Sequence, residues 1–153
     1  RIVEAAVEVN AAQKARMVKK IREVLGGSES GKKIAVLGLT FKPETDDMRD
    51  SPSLAIIPNL IDKGAVVHAH DPQGVAEARK LLPQQVNYCD DVFAAVKDAD
   101  LVVLMTEWNE YRGLDLVRIK QLMQGDAFVD LRNVYEPAQM RELGFRYVCI
   151  GRE

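Results

Sequence analysis

Ile34-Ala35-Val36-Leu37-Gly38-Leu39 decides the fold, together with the loop Thr40-Phe41-Lys42-Pro43-Glu44-Thr45-Asp46-Asp47-Met48-Arg49-Asp50 and the pair Ser51-Pro52 that closes it. The first run is apolar and of strand length, and it does not alternate with polar residues. That pattern predicts a strand covered on both faces. Ser51-Pro52 predicts a helix start, with Ser at the cap and Pro as first helical residue. Outward from this unit, strand-length runs rich in β-branched residues recur at 66–70, 86–88, 101–105, 127–130 and 147–150. Helix-like stretches separate them at 52–63, 74–82, 91–97, 115–123 and 137–143. Strands alternating with helices build βαβ units and hence a parallel sheet. The expected class is α/β: a Rossmann-like, doubly wound parallel sheet in three α/β/α layers over residues 32–153, preceded by a long N-terminal helix.

That helix is read over residues 1–27. Ile2, Val3, Ala6, Val9, Met17, Ile21 and Val24 recur at spacings of three and four, and Asn10 and Gln13 lie near the stripe. Glu4 and Glu8 come early and Lys14, Arg16, Lys19, Lys20 and Arg22 late, an order that complements the helix dipole. Gly26-Gly27 ends the helix, and residues 28–31 are expected to be a polar linker. An amphipathic stripe ahead of a linker must be buried, so this segment is expected to self-associate or to meet another domain, unless it folds back on its own.

The chain has 153 residues, about one domain. Lys plus Arg number 21 and Asp plus Glu 23, for a net charge of -2, which argues against a nucleic-acid binder. No apolar run reaches the ~20 residues of a membrane span, and the opening RIVEAAVEVN is not expected to be a signal peptide. It begins with Arg1, so it is expected to be part of a longer protein. Cys89 and Cys149 have no CxxC spacing, and His68 and His70 are the only histidines, so no metal site is expected. Both cysteines read as small hydrophobes of a reducing cytosol. Cys89 precedes Asp90 and Asp91, whose carboxylates raise a thiol pKa and blunt it as a nucleophile. No catalytic constellation is found.

Ligands of open α/β sheets bind beyond the carboxyl ends of the strands, near the switch point. A dinucleotide fingerprint would place glycines at 38, 40 and 43, but Thr40 and Pro43 stand at two of those positions. The loop is nevertheless far longer than an ordinary βα connection, as functional loops are. Lys42 and Arg49 are its cations and could hold a phosphate. Four acids surround them, so Asp46 and Asp47 could equally cap turns and pair with Arg49. Asp71-Pro72, Thr106-Glu107-Trp108 and Asp130-Leu131-Arg132-Asn133 lie on the same edge. Asp71 reads as a turn residue rather than a ribose ligand. Trp108 reads as packing, and Arg132 as a candidate phosphate contact. Tyr111 and Tyr135 could shape a pocket, with a core or surface role the simpler reading.

The stretch 38–52, with His70-Asp71-Pro72, Thr106-Glu107-Trp108-Asn109-Glu110-Tyr111, Asp130-Leu131-Arg132-Asn133 and Ile150-Gly151-Arg152, resembles the UDP-glucose and GDP-mannose dehydrogenase family in order and spacing. The bacterial UDP-glucose branch is the most similar. The resemblance implies a cytoplasmic oxidoreductase that converts the sugar's primary alcohol to a carboxylate in two hydride transfers to NAD. The cofactor would be bound mainly by an upstream domain, and the intermediates carried on an upstream cysteine. This domain would hold the nucleotide of UDP-glucose or a related sugar, and a homodimer would form through the central helix. Carried over by position, Phe41, Lys42 and Arg132 match nucleotide-sugar contacts and Arg49 a residue reaching the cofactor. Leu131 departs from the family's Asp-Gly-Arg-Asn pattern. The cysteine segment is not in this stretch, so the chain alone is expected to be inactive. The alternatives are a GDP-mannose or other UDP-sugar dehydrogenase domain, and a non-catalytic nucleotide-binding module.

Overall fold

A computed structural model of the chain describes residues 2–40, 42–49 and 51–150, with the backbone alone over 2–11. The elements run α1 (Ile2–Val24), β1 (Lys33–Leu37), α2 (Ser53–Asp62), β2 (Val66–His70), α3 (Val75–Leu81), β3 (Asn87–Tyr88), α4 (Val92–Val96), β4 (Leu101–Leu104), α5 (Asn109–Arg112), α6 (Leu116–Leu122), β5 (Ala127–Asp130), α7 (Pro137–Glu142) and β6 (Arg146–Cys149). Among the described residues six strands form one sheet in the order β3-β2-β1-β4-β5-β6, and each of these pairings is parallel. This is the doubly wound order, with the reversal of direction between β1 and β4. The expected fold class is the observed one.

The apolar strands follow from burial on two sides. Ile34, Val36, Val67, Leu101, Val103 and Val129 face a core completed by Ile56, Ile57 and Leu60 of α2. The alternate residues Ala35, Leu37, Val102, Leu104 and Phe128 face a second core under α4, α5, α6 and α7. Phe128 anchors that side, edge-on to Tyr135 and Phe145 at 5.5 and 5.4 Å between ring centroids. Register puts Leu37 beside His70 and Leu104, Leu104 beside Asp130, and Asp130 beside Cys149. All the site loops thus leave the sheet at one level.

Two details differ from the sequence reading. The short helix α5 falls inside a stretch with no helical period, because four residues make a single turn. At α2, Pro52 is already helical at φ -56, while the Ser51 hydroxyl donates to Leu39 O at 2.5 Å and accepts the Ser53 amide at 3.3 Å. Ser51 is therefore a strut beneath the β1 loop as much as a cap.

The far end of α1 lies in the first core, with Met17 5% and Ile21 0% exposed. Arg22 pairs with the buried Glu29 at 3.0 Å, Lys20 donates to Cys149 O at 3.0 Å, and the Gly31 amide donates to Gly64 O at 2.9 Å. Residues 28–31 are thus tied down at Glu29 and Gly31, while Ser28 and Ser30 are exposed. Among the described residues no helix is long and apolar enough to cross a membrane. Ile21→Ala is expected to cost about 2–5 kcal/mol, read as a lower urea midpoint at unchanged slope. An unmoved midpoint would show that α1 does not dock on this domain.

Candidate functional site

The site is built on the crossing of two strand ends at the switch point. Gly38 leaves β1 at φ +92, and a Cβ there would lie 2.6 Å from Thr106 Cβ and 2.7 Å from Thr106 N. Glycine is required by this backbone angle and by the close packing of Thr106. The Thr106 hydroxyl then donates to Thr40 O at 2.7 Å, and the Thr40 hydroxyl to Lys42 O at 2.8 Å. The β1 loop is thereby tied to the end of β4.

Two buried carboxylates fix the neighbouring loops. Asp71 accepts the Leu39 and Thr40 amides on Oδ2 (2.7 and 3.3 Å) and the Gln73 and Gly74 amides on Oδ1 (2.9 and 2.6 Å). Asp130 accepts the Arg132, Val134 and Tyr135 amides at 3.0, 2.8 and 3.0 Å and the Tyr147 hydroxyl at 2.6 Å. Carboxylates bonded to several amides offset their own burial and hold a loop in one conformation. Asp71 is therefore a turn residue with both oxygens engaged. The end of β1 lacks the further glycines of a dinucleotide loop, Thr106 packs against Gly38 from the β4 side, and the acid after β2 is engaged by backbone amides.

Lys42 is exposed in the β1 loop. Arg49, in the same loop, forks onto Asp47 at 3.0 and 2.8 Å, with 88% of its side chain exposed. The Arg49 hydrogen bond pulls the Asp47 carboxyl down to about 2, and the charge of Lys42 adds to this. The turn-and-pair reading of Asp47 is thus the observed geometry. Asp46, Asp47, Arg49 and Glu77 line a cleft of about 690 Å³ against α2 and α3, which is more acidic than basic. Phe41 lies outside the described residues. Arg132 follows β5 and pairs with Glu107 beyond β4, Nε to Oε2 at 2.6 Å, with side chains 25% and 29% exposed. Lys42 and Arg132 thus belong to loops that rise on either side of β4. Leu131, in the position of the family's glycine, is 4% exposed in the first core, and the left-handed residue of its loop is Asn133 at φ 56. A large side chain fits there without strain.

The sequence gives no sign of a buried polar chain below these loops. His70 Nδ1 meets the Tyr111 hydroxyl at 2.9 Å, and that hydroxyl donates to His70 O at 3.1 Å. The Tyr135 hydroxyl donates to Tyr111 O. The two tyrosines are buried, which pushes their phenols up and keeps them neutral donors. Trp108 is 3% exposed, as a packing residue should be. The Cys89 thiol is pushed up, first by burial and then by Asp91 and Asp90. The partners His70 and Tyr111 are 41 positions apart, and no local signal links them.

Burial lowers the His70 pKa from its ordinary 6.5, with Glu110, Asp71 and Asp91 opposing. The ring is neutral at pH 7, so its 3.5 Å approach to Glu110 carries little charge attraction there. A depressed imidazole binds its proton more readily unfolded than folded. Its contribution is complete above the unfolded value and is lost as the pH falls through 6.5 towards the folded value. His68 is also depressed by burial and acts in the same sense. Stability is therefore expected to fall as the pH drops below 6.5, with a shallower slope in His70→Asn. Denaturant melts across that range read it, and equal slopes in the two proteins would remove His70 from the account.

The sequence profile of the UDP-glucose/GDP-mannose dehydrogenase family's UDP binding domain matches residues 35–137. The chain is 48% identical over 152 residues to the UDP-glucose 6-dehydrogenase of Rhizobium meliloti, an alignment covering 99% of this chain and 35% of that one. It is 41% identical to the UDP-glucose 6-dehydrogenase TuaD of Bacillus subtilis, covering 99% and 33%. A UDP-glucose dehydrogenase structure from Pyrobaculum islandicum superposes with a TM-score of 0.76 at 33% identity, covering 95% of this chain and 31% of that one. The chain thus spans about a third of the length of the curated relatives it matches. The profile covers the switch-point loops of β1, β2, β4 and β5, and on that ground the chain belongs to the UDP-glucose/GDP-mannose dehydrogenase family, as its UDP-binding domain.

Proposed function

We propose that this chain holds the uridine diphosphate end of UDP-glucose, or of a related UDP-sugar, for an NAD-dependent oxidation of the sugar's primary alcohol in the cytoplasm. The observation that carries this reading is the rigid switch point, which sends a lysine loop and an arginine loop off the same sheet edge inside the family's UDP-binding domain. In this reading the Lys42 ammonium supplies a point charge and the Arg132 fork a directional contact for the diphosphate. Phe41 adds an apolar contact beside Lys42, and Arg49 turns from Asp47 towards the cofactor. NAD, the hydride acceptor, is held mainly by a further domain, in line with the missing glycine pattern after β1, where Thr40 and Pro43 stand. The covalent step belongs to a cysteine outside this chain, since Cys89 has a raised pKa and Cys149 is buried. The division into a dimerising helix over 1–27, a connector over 28–31 and a nucleotide domain over 32–153 is part of the same proposal. A homodimer through α1 belongs to this proposal and rests on the spacing of the apolar residues in the sequence of that helix.

The chain alone is expected to yield no NADH from UDP-glucose. Turnover that survives Cys89→Ala and Cys149→Ala would overturn the assignment of chemistry to another segment. An ammonium on a partly dehydrated phosphate contributes about 1.5–3 kcal/mol. Lys42→Ala should therefore weaken UDP-sugar binding by about ten- to a hundredfold with an unchanged melt. If Lys42 only balances Asp47 and its neighbours, calorimetric titration will show the same affinity in both proteins.

A further inference from the structure

We infer that Glu107 is the positioning residue that holds the Arg132 guanidinium in its binding orientation for a nucleoside diphosphate, an inference that rests on the proposed role of Arg132 as a diphosphate contact. Glu107 stands between two buried residues, Thr106 at 0% and Trp108 at 3% exposure, so its backbone is fixed from both sides. Thr106 is the residue that locks the β1 loop, through Thr40 O at 2.7 Å. Glu107 therefore reports the position of the β1 loop to the arginine of the β5 loop. Its carboxylate takes Arg132 Nε at 2.6 Å and Nη2 at 3.5 Å, along one side of the guanidinium. Arg132 is also fixed at its backbone, where its amide donates to Asp130 at 3.0 Å.

A side chain held at both ends loses little further freedom when a ligand arrives, and such preorganisation raises affinity. The pair uses the Nε/Nη2 side of the guanidinium, with the short contact at Nε and the long one at Nη2. A guanidinium oriented in this way can meet phosphate oxygens with directional N–H donors. A carboxylate near a diphosphate also repels it, which would weaken binding. In this inference the orientation of the guanidinium outweighs the repulsion.

The test is calorimetric titration of the chain with UDP, for wild type, Glu107→Ala, Glu107→Gln, Arg132→Ala and the double variant Glu107→Ala/Arg132→Ala. Glu107→Ala should bind about five- to thirtyfold more weakly, while Glu107→Gln, which keeps an acceptor for Nε, should recover most of the loss. In the Arg132→Ala background the Glu107→Ala change should add nothing, because the two act as one unit. Thermal melts check that each variant is folded. Equal or tighter UDP binding by Glu107→Ala, with Arg132→Ala weakened, overturns the positioning role and leaves the reading of Arg132 standing. A loss that persists in the double variant overturns it too, since Glu107 would then act by another route. Unchanged affinity in Arg132→Ala, or no UDP binding by the wild-type chain, overturns the reading of the site and this inference with it.

Discussion

The contact on which the structure depends is the passage of Gly38 over Thr106. The two strands at the switch point end side by side, and there is room between them for one side chain. Thr106 takes that room, so residue 38 must lack a Cβ and adopts φ +92. An alanine here would meet both strain and backbone atoms. The Thr106 hydroxyl then has Thr40 O as its acceptor, and the β1 loop leaves the sheet already bound to β4. A dinucleotide fold uses the same place for a glycine-rich approach to pyrophosphate. In this chain Thr106 packs against Gly38, and in the proposed reading the ligand is met by side chains on the loops above.

Two carboxylates carry the order outward from that crossing. Asp71 and Asp130 end strands in the two halves of the sheet, and each collects four donors from its surroundings. They hold the backbone at the roots of the loops that carry Lys42 and Arg132. The His70–Tyr111–Tyr135 chain joins the two halves below, through the Gly38 amide on His70 O at 2.8 Å and the Tyr135 amide on Asp130 at 3.0 Å. The polar groups in this layer are largely satisfied by one another, so an isolated change such as His70→Asn leaves an orphan.

The sequence is most legible where period and length carry the information. Strands β1, β4 and β5 read as unbroken apolar runs because both faces are covered, and the long helix reads from its stripe. The long loop after Gly38 marks the binding edge through its length and its failed glycine pattern. Helix α5 escapes because one turn has no period. The pairs that build the site are separated by 25 residues for Glu107 and Arg132 and by 41 for His70 and Tyr111, and only the sheet order brings them together. Asp71 reads as a turn residue, but its second oxygen, bound to Leu39 and Thr40, serves a neighbouring strand's loop. The docking of Met17 and Ile21 is open in the sequence, since a stripe says that a face is buried and not against what.

The central claim is the proposal that this edge, in the family's UDP-binding domain, holds the diphosphate of a UDP-sugar while NAD is held mainly elsewhere. Parallel titrations of the chain with UDP, GDP and NAD, followed by calorimetry, test it most directly. The account predicts saturable UDP binding, weaker GDP binding and no NAD binding. Saturable NAD binding, or indifference to UDP, would contradict it.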